Sequence, residues 1–304
     1  MSRPGWTLAD VPDLTGTRAV VTGVTAGLGT TTALELARAG AEVVLVARSA
    51  DRLAATRREL EATLPDAVLR PVVVDLADLS TVRRGAAEIV ALGPLDLLVN
   101  NAGVMALPYA RTVDGFELQF GTNHLGPFLL TGLLLPQLVA SGHGRVVTVS
   151  SQAHRIARRA PLDDPRTLHG RYSRWGAYGG SKLANLMFTF ELDRRARAAG
   201  LPVTALAAHP GYSATELVGK TGGVGGQIMH AATRLLGQPA KLGALPTLMA
   251  ATADLPGSTY VGPDGPGQMR GYPRVVRPRR LALDETAQRR LWDLSELATG
   301  LRYP

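Results

Sequence analysis

The sequence predicts an α/β fold: one parallel sheet, doubly wound, with helices on both faces. Two observations carry this. Short apolar runs rich in β-branched residues alternate with amphipathic stretches along most of the chain, the βαβα rhythm of a parallel sheet. Those runs are continuous rather than alternating in polarity, as strands covered on both faces are.

Strands are expected over 19–22, 42–47, 69–74, 95–100, 145–150 and 202–207. A helix is expected over 28–39, with Leu34, Leu36 and Ala37 around its buried side and Gly40 closing it. No repeat and no Pro/Gly linker interrupts the pattern before about residue 210, so 1–304 reads as a single domain. Beyond that point Gly219, Gly222, Gly223, Gly225 and Gly226 break the rhythm, and 210–240 reads as a substrate loop. Residues 260–304 read as a C-terminal extension, rich in Pro, Gly and Arg at first. It ends in a helix over 284–297 with Leu291, Leu294 and Leu297 on one side.

Composition narrows the function classes. With 304 residues, 45% hydrophobic and 19% charged, the chain can bury a large core. The absence of cysteine excludes disulfides, thiolate metal sites and a cysteine nucleophile, and fits a reducing compartment. The first residues carry no apolar stretch of export-signal length, and the apolar run at 128–135 stops at Pro136. The expectation is a cytoplasmic protein without a membrane span. The formal charge of +8 comes from scattered arginines, with clusters at 155–159 and 274–280 and few aromatics among them. That distribution suits a solvated basic surface, or a pocket for a phosphorylated cofactor, better than nucleic acid. The six histidines show neither H-x-x-x-H nor H-E-x-x-H spacing, so no metal site is expected. His154 and His209 fall near the expected site, where a packed or solvated role outweighs a pocket-lining one.

The first strand runs into Thr22-Gly23-Val24-Thr25-Ala26-Gly27-Leu28-Gly29, which opens the first helix. Such a turn lets the backbone approach a pyrophosphate, and the helix N-terminus supplies N–H groups and a favourable dipole. Glycine-rich turns also occur in α/β proteins that bind no nucleotide, and this spacing is not G-x-G-x-x-G. The second strand ends in Arg48 and Ser49, where NAD-binding chains carry an acid. A guanidinium fork there, with Ser49 as an extra donor, suits a 2′-phosphate and favours NADP, the alternative being a surface arginine. Asp51 is explained by the dipole of the next helix.

Tyr178 and Lys182, in Tyr178-Gly179-Gly180-Ser181-Lys182, stand one turn apart on a helical stretch. A tyrosine with an ordinary pKa near 10 needs a neighbouring cation to serve as acid or base, and Lys182 is placed to provide it. A chance pairing at helical spacing is the competing account.

Taken together these residues resemble the short-chain dehydrogenase/reductase family, over nearly the whole chain. Thr22, Gly23, Gly27, Leu28 and Gly29 fit its T-G-x-x-x-G-x-G turn, with Thr25 where serine is usual. Asn100-Asn101-Ala102-Gly103 looks like its N-N-A-G motif, and Asp75-Leu76 like its adenine-contacting pair. Val149-Ser150-Ser151 is similar to its serine strand and Tyr178 to Lys182 to its Y-x-x-x-K, with Gly180 before Ser181 as a small departure. Pro210-Gly211 with Thr215 resembles the segment whose threonine contacts the nicotinamide amide. The resemblance implies a Rossmann-type fold and an NADP cofactor, NAD being the alternative. Tyr178 would be the general acid in reduction and base in oxidation. Lys182 would lower its pKa and bind the nicotinamide ribose. Ser151, rather than Ser150, would hydrogen-bond the substrate oxygen. Asn123 would hold a water in a proton relay to Lys182; without the family motif it reads as a packing or capping residue.

Residues 123–131 and 181–185 resemble the retinol-dehydrogenase and WW-domain-oxidoreductase-like branch. That branch implies an apolar carbonyl or alcohol substrate, although neither a WW domain nor an N-terminal anchor is seen, so retinoid chemistry does not follow. Met105, Leu107, Trp175, Tyr212 and Met229 are candidates for the substrate wall, and 155–175 for a surface insertion at its mouth. The expected function is hydride transfer between NADP and a small-molecule carbonyl or alcohol. A cofactor sensor without activity is the alternative from another class. A sugar-nucleotide epimerase or dehydratase ranks lower, because its turn needs glycine at Ala26. Family assembly implies dimers or tetramers through the helices carrying Asn123 and Tyr178, unless the C-terminal extension obstructs that face.

Overall fold

The six expected runs become strands within two residues of their expected places, and burial on both faces explains this for all but the half-exposed run at 69–73. The computed structural model describes residues 5–167, 170–212 and 239–304. Its strands are β1 (Arg18–Thr22), β2 (Glu42–Ala47), β3 (Leu69–Val73), β4 (Leu97–Asn100), β5 (Gly144–Val149), β6 (Val203–Ala208), β7 (Tyr260–Pro263) and β8 (Pro273–Val275). They form an eight-stranded sheet in the order β3-β2-β1-β4-β5-β6-β7-β8, parallel except for the antiparallel β7–β8 pair. Pro71, which cannot donate to a ladder, sits exposed in edge strand β3.

Successive strand residues feed opposite cores. Val21, Leu45, Val99 and Val147 pack with Leu36, Leu53 and Leu248 on one face. Val20, Val44, Leu98 and Val146 pack with Ile89, Phe128, Leu186 and Trp292 on the other. The first face is covered by helices α1 (Gly27–Arg38), α2 (Ala50–Thr63) and α7 (Ala240–Thr252); the second by α3 (Leu79–Val90), α5 (Gly126–Ala140), α6 (Arg174–Ala198) and α8 (Glu285–Thr299). A short helix α4 (Leu118–Phe120) and a π turn, Gly121–Leu125, lead into α5. Helix α1 buries Leu36 and Ala37 as expected, leaves Leu34 half-buried, and is followed by Gly40 at φ +99°. The chain order along the sheet reverses between β1 and β4, where Val20 pairs with Leu98. A crevice outside the carboxyl ends of the strands opens at such a point.

The C-terminal region differs from its reading as an extension. Strands β7 and β8 complete the sheet, Ala207 pairing with Tyr260 and Val261 with Val275. In α8 Leu297 is 85% exposed, contrary to expectation. The helix presents Gln288, Leu291, Trp292, Ser295 and Thr299 inward, because Trp292 stacks on Phe188 and meets Phe128 edge-on. Six residues beyond Leu291, at about 100° each, put Leu297 on the far side. Helix α8 thereby packs on α6. The expected loop residues 213–238, with Thr215 and Met229, lie outside the described residues. Among the described residues no helix is long and apolar enough to cross a membrane.

Candidate active site

Close packing of two loops builds the dinucleotide end. Gly23 has φ +76°, and a Cβ there would lie 2.8 Å from Ala102 Cα. A Cβ on Gly29 would lie 2.2 Å from the Gly23 carbonyl. The β1–α1 turn is thus pressed against the loop after β4, and hydrogen bonds fix it there. Asn101 Nδ2 donates to the Thr22 carbonyl at 2.8 Å, and the N–H groups of Asn101 and Ala102 both donate to Thr22 Oγ1 at 3.0 Å. Helix α1 begins at Gly27 with no side-chain cap, so its first N–H groups are open to an anion. The glycine cradle fits a pyrophosphate lying against backbone.

At the end of β2, Arg48 lines the same cleft, is exposed, and makes no hydrogen bond or ion pair among the described residues. Ser49 caps α2, its Oγ accepting the Arg52 N–H at 3.4 Å. Arg52 also lines the cleft and donates to the Thr25 carbonyl at 3.0 Å. Sequence reasoning passed over Arg52, although its distance of four residues from Arg48 was a legible signal. Asp51 does not line the cleft. Asp75 accepts the Ala77 N–H at 3.0 Å, and Leu76 is buried under Gly126, where a Cβ would lie 2.4 Å from the Leu76 carbonyl.

The catalytic candidates converge from three elements. Helix α6, capped by Ser173 Oγ accepting the Gly176 N–H at 3.1 Å, carries Tyr178 and Lys182. Lys182 Nζ donates to the Val149 carbonyl at 2.9 Å and lies 5.9 Å from the Tyr178 ring centre. Burial lowers the Lys182 ammonium to about 8. Burial also raises the Tyr178 phenol, and a hydrogen bond with the Ser151 hydroxyl works against that rise. Ser150 points away, its hydroxyl donating to the Lys182 carbonyl at 2.8 Å. Asn123, wholly buried in the π turn, accepts the Val104 N–H at 2.7 Å and donates to the Val104 carbonyl and Ser181 Oγ, each at 2.9 Å. Its side chain is therefore committed to holding the loop after β4. Gly103 lets that loop pass close to Asn123 and Lys182, where a Cβ would meet Oδ1 at 3.1 Å and Nζ at 3.4 Å.

One cleft of about 690 Å³ joins these parts. Thr22, Gly23, Thr25, Leu28, Gly29, Asp75, Leu76, Asn101, Ala102, Gly103, Ser151, Tyr178, Lys182, Pro210 and Gly211 all line it, whereas Ser49, Gly27 and Asn123 do not. Its far side is mainly apolar, with Met105, Leu107, Trp175 and Tyr212 as expected and Gln152 and Arg155 as polar members. Ile156, Leu118 and Met269 were not foreseen. Met269 arrives through the β7–β8 connection, which has no local sequence signal, and Gly211 is tight against it, a Cβ there lying 2.4 Å from the Met269 carbonyl. Of the 155–175 segment, Arg155, Ile156 and Trp175 line the cleft, and Tyr172 ties it to the start of α4, donating to Glu117 Oε1 at 2.8 Å. His154 and His209 are packed rather than pocket-lining, each with no exposed surface. Among the described residues no cluster of His, Cys, Asp and Glu could hold a metal ion.

A doubly wound sheet with a glycine cradle at the β1/β4 crevice, and a Tyr–Lys–Ser cluster beside it, defines a dinucleotide-dependent dehydrogenase acting on an alcohol or carbonyl. The chain belongs to the short chain dehydrogenase family. The family profile matches residues 17–161. Retinol dehydrogenase 13 of Homo sapiens is 38% identical over 299 residues, covering 95% of this chain and 86% of its own length. Polyprenol dehydrogenase of Mus musculus is 41% identical over 303 residues, covering 96% of this chain and 85% of its own. A crystal structure of an uncharacterized protein from Mycobacterium Paratuberculosis is 45% identical and superposes with a TM-score of 0.83, covering 99% of each chain.

Proposed function

We propose that this dehydrogenase prefers NADP and acts on an apolar alcohol or its carbonyl. The observation that carries the reading is the polarity of that cleft: Arg48 and Arg52 at the β2 end, and Met105, Leu107, Ile156, Trp175 and Met269 at the other, where Arg155 is tied to Gln152 and the Arg277 carbonyl. Two guanidinium groups suit the extra phosphate of NADP, and Arg48, exposed in the cleft, has its planar fork available for it. The apolar wall agrees with relatives named for retinol and polyprenol, both alcohols on long hydrocarbon chains. The presence of Ser151, Tyr178 and Lys182 in one cleft counts against a silent sensor, and Ala26 in the glycine turn against an epimerase.

When bound, the nicotinamide supplies or accepts the hydride. The chain's own residues do the rest. The glycine cradle and α1 N-terminus hold the pyrophosphate, and Asn101, tied to Thr22, keeps that cradle shut. Tyr178 gives its phenolic proton to the substrate oxygen in reduction and takes it back in oxidation. Lys182, buried beside it, stabilises the tyrosinate that remains. Ser151 hydrogen-bonds the same substrate oxygen as charge develops on it. The side chains of Trp175, Ile156 and Met269 keep water from the reacting centre.

The test is a panel of aldehydes, ketones and alcohols, including all-trans-retinal and decanal, with NADPH and NADH. Turnover of the long apolar carbonyls with NADPH is expected. Tyr178→Phe should lower kcat by about 10²–10⁴-fold while NADPH binding, followed by nicotinamide fluorescence, stays unchanged. Binding without turnover in wild type would instead support the sensor.

A further inference from the structure

The chain after Ser151 is gripped from two sides. A 3₁₀ turn, Gln152–Ile156, is capped by Ser151, whose Oγ accepts the Ala153 N–H at 3.2 Å. On one side it lies against α6 at Gly179, where a Cβ would meet the Ala153 carbonyl at 2.6 Å. On the other it is strapped by the chain that leaves β8. Arg279 Nη1 donates to the carbonyls of Arg155 at 2.7 Å and Ala157 at 2.6 Å, and Arg155 Nη2 donates to the Arg277 carbonyl at 3.1 Å.

His154 sits between strap and serine, with no exposed surface and Tyr260 edge-on at 5.8 Å. Its Nδ1 is 2.7 Å from the Ser151 carbonyl oxygen, and its Nε2 is 3.2 Å from the Arg279 backbone nitrogen. Those two partners leave no choice of proton. A carbonyl only accepts, so Nδ1 carries hydrogen; a backbone N–H only donates, so Nε2 is bare. Without the Arg279 N–H the ring is free to protonate at Nε2, and the Nδ1 lone pair then faces the Ser151 carbonyl.

We propose that His154 is a positioning residue: locked as the Nδ1–H tautomer by the backbone of Arg279, it fixes the Ser151 peptide and hence the Ser151 hydroxyl beside Tyr178. The C-terminal strap thereby completes the active site. The chain segment that does this lies more than a hundred residues from the serine, and it touches neither cofactor cradle nor cleft. Misplacing a reacting group by about 1 Å costs on the order of 10²-fold, so a fixed peptide here matters to rate. The inference rests on Ser151 and Tyr178 being the reacting pair, and its test is arranged to separate the two ideas.

Long-range ¹H–¹⁵N spectra of the ¹⁵N-labelled full chain, with His154 assigned from its loss in His154→Asn, should show hydrogen on Nδ1 and a bare Nε2. Hydrogen on Nε2 overturns the proposal whatever the activity. Reduction of decanal by NADPH supplies the second arm. Asparagine places its amide near Nδ1 and keeps a donor for Ser151; glutamine places its amide near Nε2 and keeps a partner for Arg279 alone. We expect kcat within about threefold of wild type for His154→Asn and at least about tenfold lower for His154→Gln, with KM and NADPH affinity unchanged in both. Equal kcat in the two, or a fall in kcat that merely follows the melting temperature, overturns it. Arg279, at φ −65°, already has the backbone angle proline requires, so Arg279→Pro replaces the N–H with a Cδ methylene facing His154 Nε2, while Arg279→Ala deletes only the guanidinium and keeps the N–H. A kcat about fivefold lower in the proline variant is expected, and equal values overturn the proposal even if the His154 variants do not fold. Wild-type failure on the carbonyl panel counts against the proposed function, and the spectrum still decides the tautomer.

Discussion

Arg48 and Arg52 stand four residues apart across the start of α2, with Ser49 capping the helix between them. Each guanidinium on a phosphate contributes about 1.5–3 kcal/mol, which is roughly tenfold or more in affinity. Arg48→Ala and Arg52→Ala should each weaken NADPH binding by about tenfold and leave NADH within about twofold, as read by calorimetric titration. An unchanged ratio of the two affinities would remove the basis for an NADP preference. Lys182 supplies a second test at this scale, because burial lowers its ammonium to about 8. Reduction needs Lys182 charged and Tyr178 protonated, and burial raises the phenol, so the lysine is the first of the two to deprotonate as pH rises. The kcat/KM for NADPH in carbonyl reduction, which reports the free enzyme, should therefore be flat at neutral pH and fall above about pH 8. These side chains were legible in the sequence: helical spacing marks Tyr178 and Lys182, the end of the second strand marks Arg48, and the family resemblance marks Ser151. The lysine's depressed pKa was not, because it comes from burial.

Two adjacent glycines in α6 show how element packing separates residues that look alike in sequence. Gly179 faces the Gln152–Ile156 turn, with room for a Cβ only if the Ala153 carbonyl moves from 2.6 Å. Gly180 faces open space, its nearest neighbour being Pro161 Cβ at 3.9 Å. Gly179→Ala should push the turn off the helix, carry Ser151 with it, and lower kcat by at least about tenfold. Gly180→Ala, at an ordinary helical φ, should leave kcat alone and stabilise the protein by about 0.5–1 kcal/mol through helix propensity. Thermal melts and steady-state rates on the two variants check both halves. At the same scale, strands β1, β2, β4, β5 and β6 were legible because a run buried on both faces declares itself by hydrophobicity, whereas edge strand β3, half exposed, showed through its place in the βαβ rhythm. Strands β7 and β8 were not: they span four and three residues, contain Pro263 and Pro273, and gain their order by pairing with a distant neighbour.

Across the whole molecule, three histidines from three elements are buried neutral. Burial lowers His124 to about 3, His154 to about 4 and His209 to about 3, from an ordinary value near 6.5. Each folded pKa lies below the unfolded one. Below about pH 6.5 the unfolded chain therefore takes up three protons that the native chain refuses, and stability falls by about 1.4 kcal/mol per pH unit for each. The stability they permit is fully present above pH 6.5 and is lost progressively toward pH 4. Melting temperatures measured from pH 8 to 4 should be level at first and then drop steeply; a level profile throughout would contradict this account.

The sequence by itself determined the sheet class and, through its resemblance to the family, marked the dinucleotide cradle and the candidate proton-handling residues, because hydrophobic runs, glycine positions and motif spacing are local pattern. Only the tertiary structure decided that the Ser150 hydroxyl is spent on the Lys182 carbonyl, that the Asn123 side chain holds the loop after β4, that α8 buries Trp292 instead of Leu297, and that 260–304 belongs to the fold. Those outcomes depend on contacts between segments far apart in the chain, and the bond from Arg279 to His154 is the clearest of them. Chain order carries no trace of such a contact until folding brings the strap beside the serine.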